Sequence, residues 1–219
     1  MRGGTERTFW LLWGVGLLSA LGLSLAASVV AVFPGDEGLA HRLQGLDNPF
    51  WERLVSLANS LGGFPWLGLL WAALVVAFVI TRRPREAAWL SLAALLVPIS
   101  AVVKLLVGRP RPSPELVSVQ GGPTGASFPS SHTFGDVLLF GSLFFLAGTA
   151  IRSPLLRFTV QGICLLAMAM VGLARVYVGA HWPSDVLGSY LLGGLVIALL
   201  LRGYRRFGED PGRIQESPS

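Results

Sequence analysis

Six apolar runs, each long enough to cross a bilayer, dominate this 219-residue sequence: 9–33, 64–80, 87–107, 130–151, 155–176 and 183–201. The hydrocarbon core of a membrane is about 30 Å thick, which takes roughly 20 residues of helix to span. Inside lipid every backbone N–H and C=O must be satisfied within the protein, so only helices and closed barrels cross. The runs are continuous rather than alternating, which selects helices. Charged residues make up only 13% of the chain and hydrophobic residues 53%, against about 25% charged in a soluble domain. Such a chain cannot cover a water-facing surface. The expected fold is all-α, a polytopic six-helix transmembrane bundle.

The segments between the runs refine this. A cleaved signal peptide is the rival reading of 9–33, because small residues stand at Ala26 and Ala27. That run is longer than a signal core and has further spans behind it, which favours a retained helix. Residues 34–49 read as a loop with a short helix. Residues 50–61 place Phe50, Leu54, Leu57 and Leu61 on one helical face and Glu52, Arg53, Ser56 and Asn59 elsewhere, the pattern of a short amphipathic interfacial helix. Pro98 is expected to kink the third span. Residues 1–203 form one membrane domain, and 204–219 a polar cytoplasmic tail. The tryptophans suit a membrane belt, with Trp182 also placed to shape a lipid entrance.

Six crossings put both termini on one side. That leaves Arg42, Arg53, Lys104, Arg109, Arg111 and Arg175, six of the 17 cations, on the other. By the positive-inside rule the termini are cytoplasmic and the chain sits in the cytoplasmic membrane. The net charge of +5 is spread over span ends rather than gathered in a basic tail, so no nucleic acid is implied. The single cysteine, Cys164, lies in an apolar run and excludes an internal disulfide.

Three polar clusters break the apolar pattern: Lys104 to Pro112, Ser130-Ser131-His132, and Arg175 to Asp185. The parity of the spans brings all three to the outer face. Ser130 is a natural N-cap of the fourth span, and a helix N-terminus attracts anions. Lys104, Arg111 and Arg175 add cations, and a guanidinium fork matches phosphate geometry. Two histidines with one Asp could in principle hold a metal, but the cations would repel it. Together these groups describe an anion clamp. Asp185, four residues after His181, can fix the tautomer of that imidazole and free its other nitrogen to attack, while His132 protonates a leaving oxygen. Arg109 is expected to be a lipid headgroup anchor. Asp136, one turn beyond His132, is expected either to orient that histidine or to snorkel to the interface.

In order and spacing, Lys104 with Arg111-Pro112, Pro129-Ser130-Ser131-His132, and Arg175 with His181 and Asp185 resemble the three signature motifs of the type 2 phosphatidic acid phosphatase family. That family contains membrane lipid phosphate phosphatases and shares its site with vanadium haloperoxidases, which are soluble. The resemblance covers 104–185 and implies a metal-free, cofactor-free phosphatase working through a phosphohistidine. His181 would be the nucleophile, Asp185 its orienting partner and His132 the general acid. Lys104, Arg111, Ser130, Ser131 and Arg175 would hold the phosphate. Ser131 stands where the family usually has Gly, and Ala174 where it usually has Ser. The implied partners are the bilayer and a phosphorylated membrane lipid, undecaprenyl diphosphate by first analogy and phosphatidylglycerophosphate next, with no obligate protein partner. The alternative from another class is a lipid-binding or lipid-transport protein without turnover, which would not need His181.

Overall fold

The computed structural model describes residues 2–206, so the expected tail lies outside the described residues from 207 onward. The described residues run through α1 (Arg2–Val29), α2 (Asp36–Gln44), α3 (Pro49–Leu61), α4 (Trp66–Ile80), α5 (Pro84–Leu95), α6 (Ile99–Val107), α7 (Ser131–Ala150), α8 (Pro154–Tyr177) and α9 (Pro183–Arg206). The fold is all helical over this range. Prolines open several of these helices, because the N–H that proline lacks would be unpaired in the first turn. Pro49, Pro84, Pro154 and Pro183 each stand at such a start.

Among the described residues, five stretches are long and apolar enough to cross a membrane: α1, α5 with α6, α7, α8 and α9. A sixth crossing is available from α3 and α4 together, bent by 59°. Alone, the 15 residues of α4 rise about 22 Å, short of the hydrocarbon thickness. The expected interfacial helix is present as α3, but it is not laid clear of the bundle. Val55 packs with Ala174 and Val178, Trp51 meets Tyr177 edge to face, and Gly62 lies against Val171. So α3 runs antiparallel along the last turns of α8. Pro98 interrupts the third span as expected: α5 stops at Leu95 and α6 restarts at Ile99.

The bundle is built around α7. More than half of its membrane-crossing stretch, 56%, is buried inside the protein, against at most 28% for α1, α5 with α6, α8 and α9. It packs against α8, α9 and α5. Gly193 of α9 lets the two central helices approach, since a Cβ there would come within 2.7 Å of Val137. By contrast only 6% of the α1 window is buried, and Leu11, Leu18 and Leu25 face outward, as a lipid-facing helix should. Phe134, Leu138, Leu139 and Leu146 fill the centre together with Trp71, Trp89 and Leu90. Two of the expected belt tryptophans, Trp71 and Trp89, are therefore core residues. Trp182 is another: it is 1% exposed and packs with Ala40, Val117 and Val186. An indole ring at an α8–α9 corner closed over by a loop buries more area than one at the interface, which is why composition alone misplaces it.

Candidate active site

Three chain segments meet at one end of the bundle: the loop after α6, the N-terminus of α7, and the α8–α9 corner. Each is held by local chemistry. Gly108 ends α6 in the left-handed region at φ 63, where a side chain would be strained, and turns the chain toward Arg109. Ser130 caps α7, its Oγ accepting from the Thr133 N–H at 3.4 Å and the Thr133 hydroxyl at 3.0 Å. Gly179, at φ +67, carries the corner after α8, where Gln120 N–H donates to Val178 O at 2.9 Å.

His181 and Asp185 stand at the centre of this meeting point, 2% and 0% exposed. His181 Nδ1 is 3.5 Å from Asp185 Oδ2. On the opposite edge of the ring, Nε2 is 3.3 Å from an Arg111 Nη1. A guanidinium can only donate, so Nε2 carries the lone pair and Nδ1 the proton. The structure thereby fixes the tautomer with its lone pair toward the cations. Burial pushes the His181 pKa down to about 3, Asp185 opposes this, and Lys104 and Arg175 add to it. The imidazole is neutral at physiological pH, the form a nucleophile needs.

Asp185 is held by more than His181. Its Oδ2 accepts from the Trp182 N–H at 2.9 Å and from the Ser127 hydroxyl. Its Oδ1 accepts from Arg109 at 2.5 Å. The cations surround the histidine. Arg111 Nη1 also donates to Ala180 O at 2.6 Å, and its Nε reaches Thr124 O and Gly125 O. Burial lowers the pKa of this half-buried guanidinium, with Asp185 opposing. Lys104 Nζ donates to Ala126 O and Ser127 O, pinning the loop that carries Ser127. Arg175 Nη1 donates to Asn59 Oδ1 at 2.5 Å, which ties α3 to the cluster.

His132 sits in the first turn of α7 beside the α3–α4 corner, where a Cβ on Gly63 would lie 3.1 Å from its Nε2. Ser131 turns its hydroxyl to Ser100 Oγ at 3.1 Å, leaving its backbone N–H at the open end of the helix. Ser130 N–H is directed at Asp185 O at 3.4 Å, and Ser189 Oγ bridges Ser130 O and Asp185 O. Ala174 is packed apolar, in the cluster with Val55.

Two expectations change. Arg109, expected at the lipid headgroups, is 1% exposed and bonds two carboxylates, Asp185 and Asp36, the latter at 2.7 Å. Charge complementarity deep in the fold outweighs its position near a span end. Asp136 is fully buried, and among the described residues neither of its oxygens has a hydrogen-bond partner; it neither pairs with His132 nor reaches the interface. Sequence reading also passed over Ser127, Asn59 and Asp36 as site neighbours. Ser127 lies in the polar stretch just before Pro129, which was the one signal on offer. Asp36 and Asn59 come from segments without a motif.

An apolar cavity of about 770 Å³ opens beside His132, between α4, α5 and α7, with Phe64, Leu67, Trp71 and Leu95 in its walls. Among the described residues, no three His, Cys, Asp or Glu side chains are arranged to hold a metal.

The family model of the PAP2 superfamily matches residues 86–209. Decaprenylphosphoryl-5-phosphoribose phosphatase of Mycobacterium tuberculosis is 31% identical over 141 residues, covering 61% of this chain and 70% of that protein. The protein of the same description from Mycolicibacterium smegmatis is 29% identical over 137 residues, covering 59% of this chain and 67% of that one. Among solved structures, the transmembrane PAP2 type phosphatidylglycerolphosphate phosphatase of Bacillus subtilis superposes with a TM-score of 0.75 at 23% identity, over 92% of this chain and 98% of that one. Aquifex aeolicus LpxE superposes with a TM-score of 0.62 at 21% identity, over 79% and 98%.

Proposed function

This chain belongs to the PAP2 superfamily and is one of its membrane lipid phosphatases, and we propose that it removes a terminal phosphate from a polyprenyl-linked lipid through a phosphohistidine on His181. The observation that carries the reading is the orientation of that ring, with Nδ1 toward Asp185 and Nε2 toward Arg111. In the first step Nε2 attacks phosphorus, the bond from phosphorus to the leaving oxygen breaks, and His132 gives that oxygen its proton. In the second, water attacks the phosphorus, its proton goes to His132, and the P–N bond breaks to release inorganic phosphate. Lys104, Arg111 and Arg175, with the N–H groups at the start of α7, hold the charge that builds on the transferring group. No step needs a metal or cofactor. Residues 1–203 act as one membrane domain, with the site on the outer face of the cytoplasmic membrane.

The apolar cavity beside His132 supports a lipid leaving group, because its walls would take an acyl or prenyl chain while the head meets the cations. The relatives divide the substrate choices. The mycobacterial proteins favour a decaprenylphosphoryl sugar phosphate, and the Bacillus structure a phosphatidylglycerophosphate. Undecaprenyl diphosphate shares the prenyl chain and the terminal phosphate. The purified protein is expected to release phosphate from this panel in excess chelator, with the prenyl members preferred. His181→Ala is expected to abolish release while lipid binding persists. Undiminished release by that variant, or a strict need for a divalent ion, would refute the mechanism; binding without any turnover in the wild type would favour the transport alternative.

A further inference from the structure

Arg109 and Asp36 form a buried polar knot that the mechanism above leaves unused. Arg109 is 1% and Asp36 3% exposed. The guanidinium donates to Ala31 O at 3.1 Å, Ser184 Oγ at 2.7 Å, Asp185 Oδ1 at 2.5 Å and Asp36 Oδ2 at 2.7 Å, and lies 4.7 Å from the Phe33 ring centre. Asp36 in turn accepts from the Ser184 N–H at 2.9 Å, the Ser184 hydroxyl at 2.7 Å and the Phe33 N–H at 3.1 Å. Ser184 and Asp185 stand in the first turn of α9, Ala31, Phe33 and Asp36 follow α1, and Arg109 comes from the loop after α6, so three chain segments are spent on a single buried cation. Burying such a group is costly and is weak evidence of stability by itself. The arrangement calls for another explanation.

The charges supply it. Asp36, Arg109 and Asp185 together carry one net negative charge. Were Arg109 bonded to Asp185 alone, it would cancel that carboxylate. Because Asp36 shares Arg109, Asp185 keeps its charge toward His181. We infer that Asp36 and Arg109 are positioning residues for the His181–Asp185 pair, Arg109 holding Asp185 by its outer oxygen and Asp36 preserving the charge of Asp185. This inference rests on the phosphohistidine reading. When Nε2 bonds phosphorus and the leaving oxygen takes the proton of His132, the ring retains its Nδ1–H and becomes a cation. Asp185 is the carboxylate that faces that cation, and its charge stabilises the transition state only to the extent that Arg109 does not cancel it.

Asp36→Asn and Asp36→Glu separate charge from shape. Asn keeps the size and removes the charge; Glu keeps the charge and changes the size. Rapid-quench trapping of the phosphoprotein is expected to be about 10–100-fold slower in Asp36→Asn, up to the loss that a misplacement of about 1 Å at the reacting groups produces. Asp36→Glu is expected to retain most of the wild-type rate. Competitive inhibition by inorganic phosphate is expected to keep its wild-type strength in both, since Lys104, Arg111 and Arg175 are untouched. An Asn variant as fast as the Glu variant would overturn the inference, as would loss of phosphate inhibition in step with the rate. Arg109→Lys, which keeps the charge but cannot fork between two carboxylates, is expected to fall between them and serves if Asp36→Glu fails to fold. If the wild type yields no phosphoprotein, the covalent reading falls on its own account, and the order of Glu over Asn in steady-state release still decides the role of Asp36.

Discussion

His181 shows how much a single residue depends on its surroundings. Its ring is enclosed, faces a carboxylate on one edge and guanidinium on the other, and its pKa is about 3. An unfolded histidine titrates near 6.5. Below that value the unfolded chain takes up a proton that the folded chain refuses, so the contribution to stability is fully present above about pH 6.5 and is lost as pH falls toward 3. The slope approaches about 1.4 kcal/mol per pH unit for one proton. Thermal melting in detergent between pH 7 and 5 should therefore show a falling midpoint, and the fall should be shallower in His181→Gln, whose side chain does not titrate. Equal slopes for the two proteins would mean that His181 is not the group refusing the proton.

At the scale of elements, the site is a corner of packing as much as a set of motifs. Phe128 is fully buried and leads directly into Pro129 and the Ser130 cap. Its ring lies against Gly188 of α9, where an added Cβ would collide with it. This contact locks the start of α7 to the first turns of α9, the helix that carries Asp185. Gly188→Ala is expected to cost about 1–3 kcal/mol of stability, the range for overpacking a filled core, and to lower phosphate release beyond the loss of folded protein, because moving Phe128 moves the cap. A melting curve paired with an activity measurement on the folded fraction checks both. A variant with wild-type melting would show that the ring can yield. The same logic explains α3: Asn59 reaches Arg175 only because α3 packs along α8 instead of lying free on the surface.

For the whole molecule, five stretches of the described residues can cross a membrane and the bent α3–α4 pair can supply a sixth crossing; the proposed orientation counts that pair as one span. On that proposal the site loops lie on the face opposite the start of α1 and the end of α9. Cysteines introduced at Gln120 and at Arg7, in a protein whose own Cys164 is buried, test this with a reagent that cannot cross the membrane. Applied to intact cells, it is expected to label Gln120→Cys and spare Arg7→Cys. The reverse pattern would invert the orientation, and labelling of both would mean an odd number of crossings.

Apolar run length, by itself, determined that the chain is a helical membrane bundle, because a backbone in lipid has few ways to satisfy its own polar groups. Motif spacing named the residues that come together at one end: Lys104, Arg111, Ser130, Ser131, His132, Arg175, His181 and Asp185. Pro98 and the Ser130 cap were legible too, since both act through the local backbone. The burial of Trp182, the bend between α3 and α4, and the Asp36–Arg109–Asp185 knot were decided only by tertiary structure. Each rests on contacts between segments distant in sequence, α3 along α8 in the case of the bend, and their energy comes from desolvation and charge pairing that no local pattern encodes. Arg109 makes the point most sharply: beside a span end it reads as a headgroup anchor, and it became a buried counterion because folding brought two carboxylates to it from opposite ends of the chain.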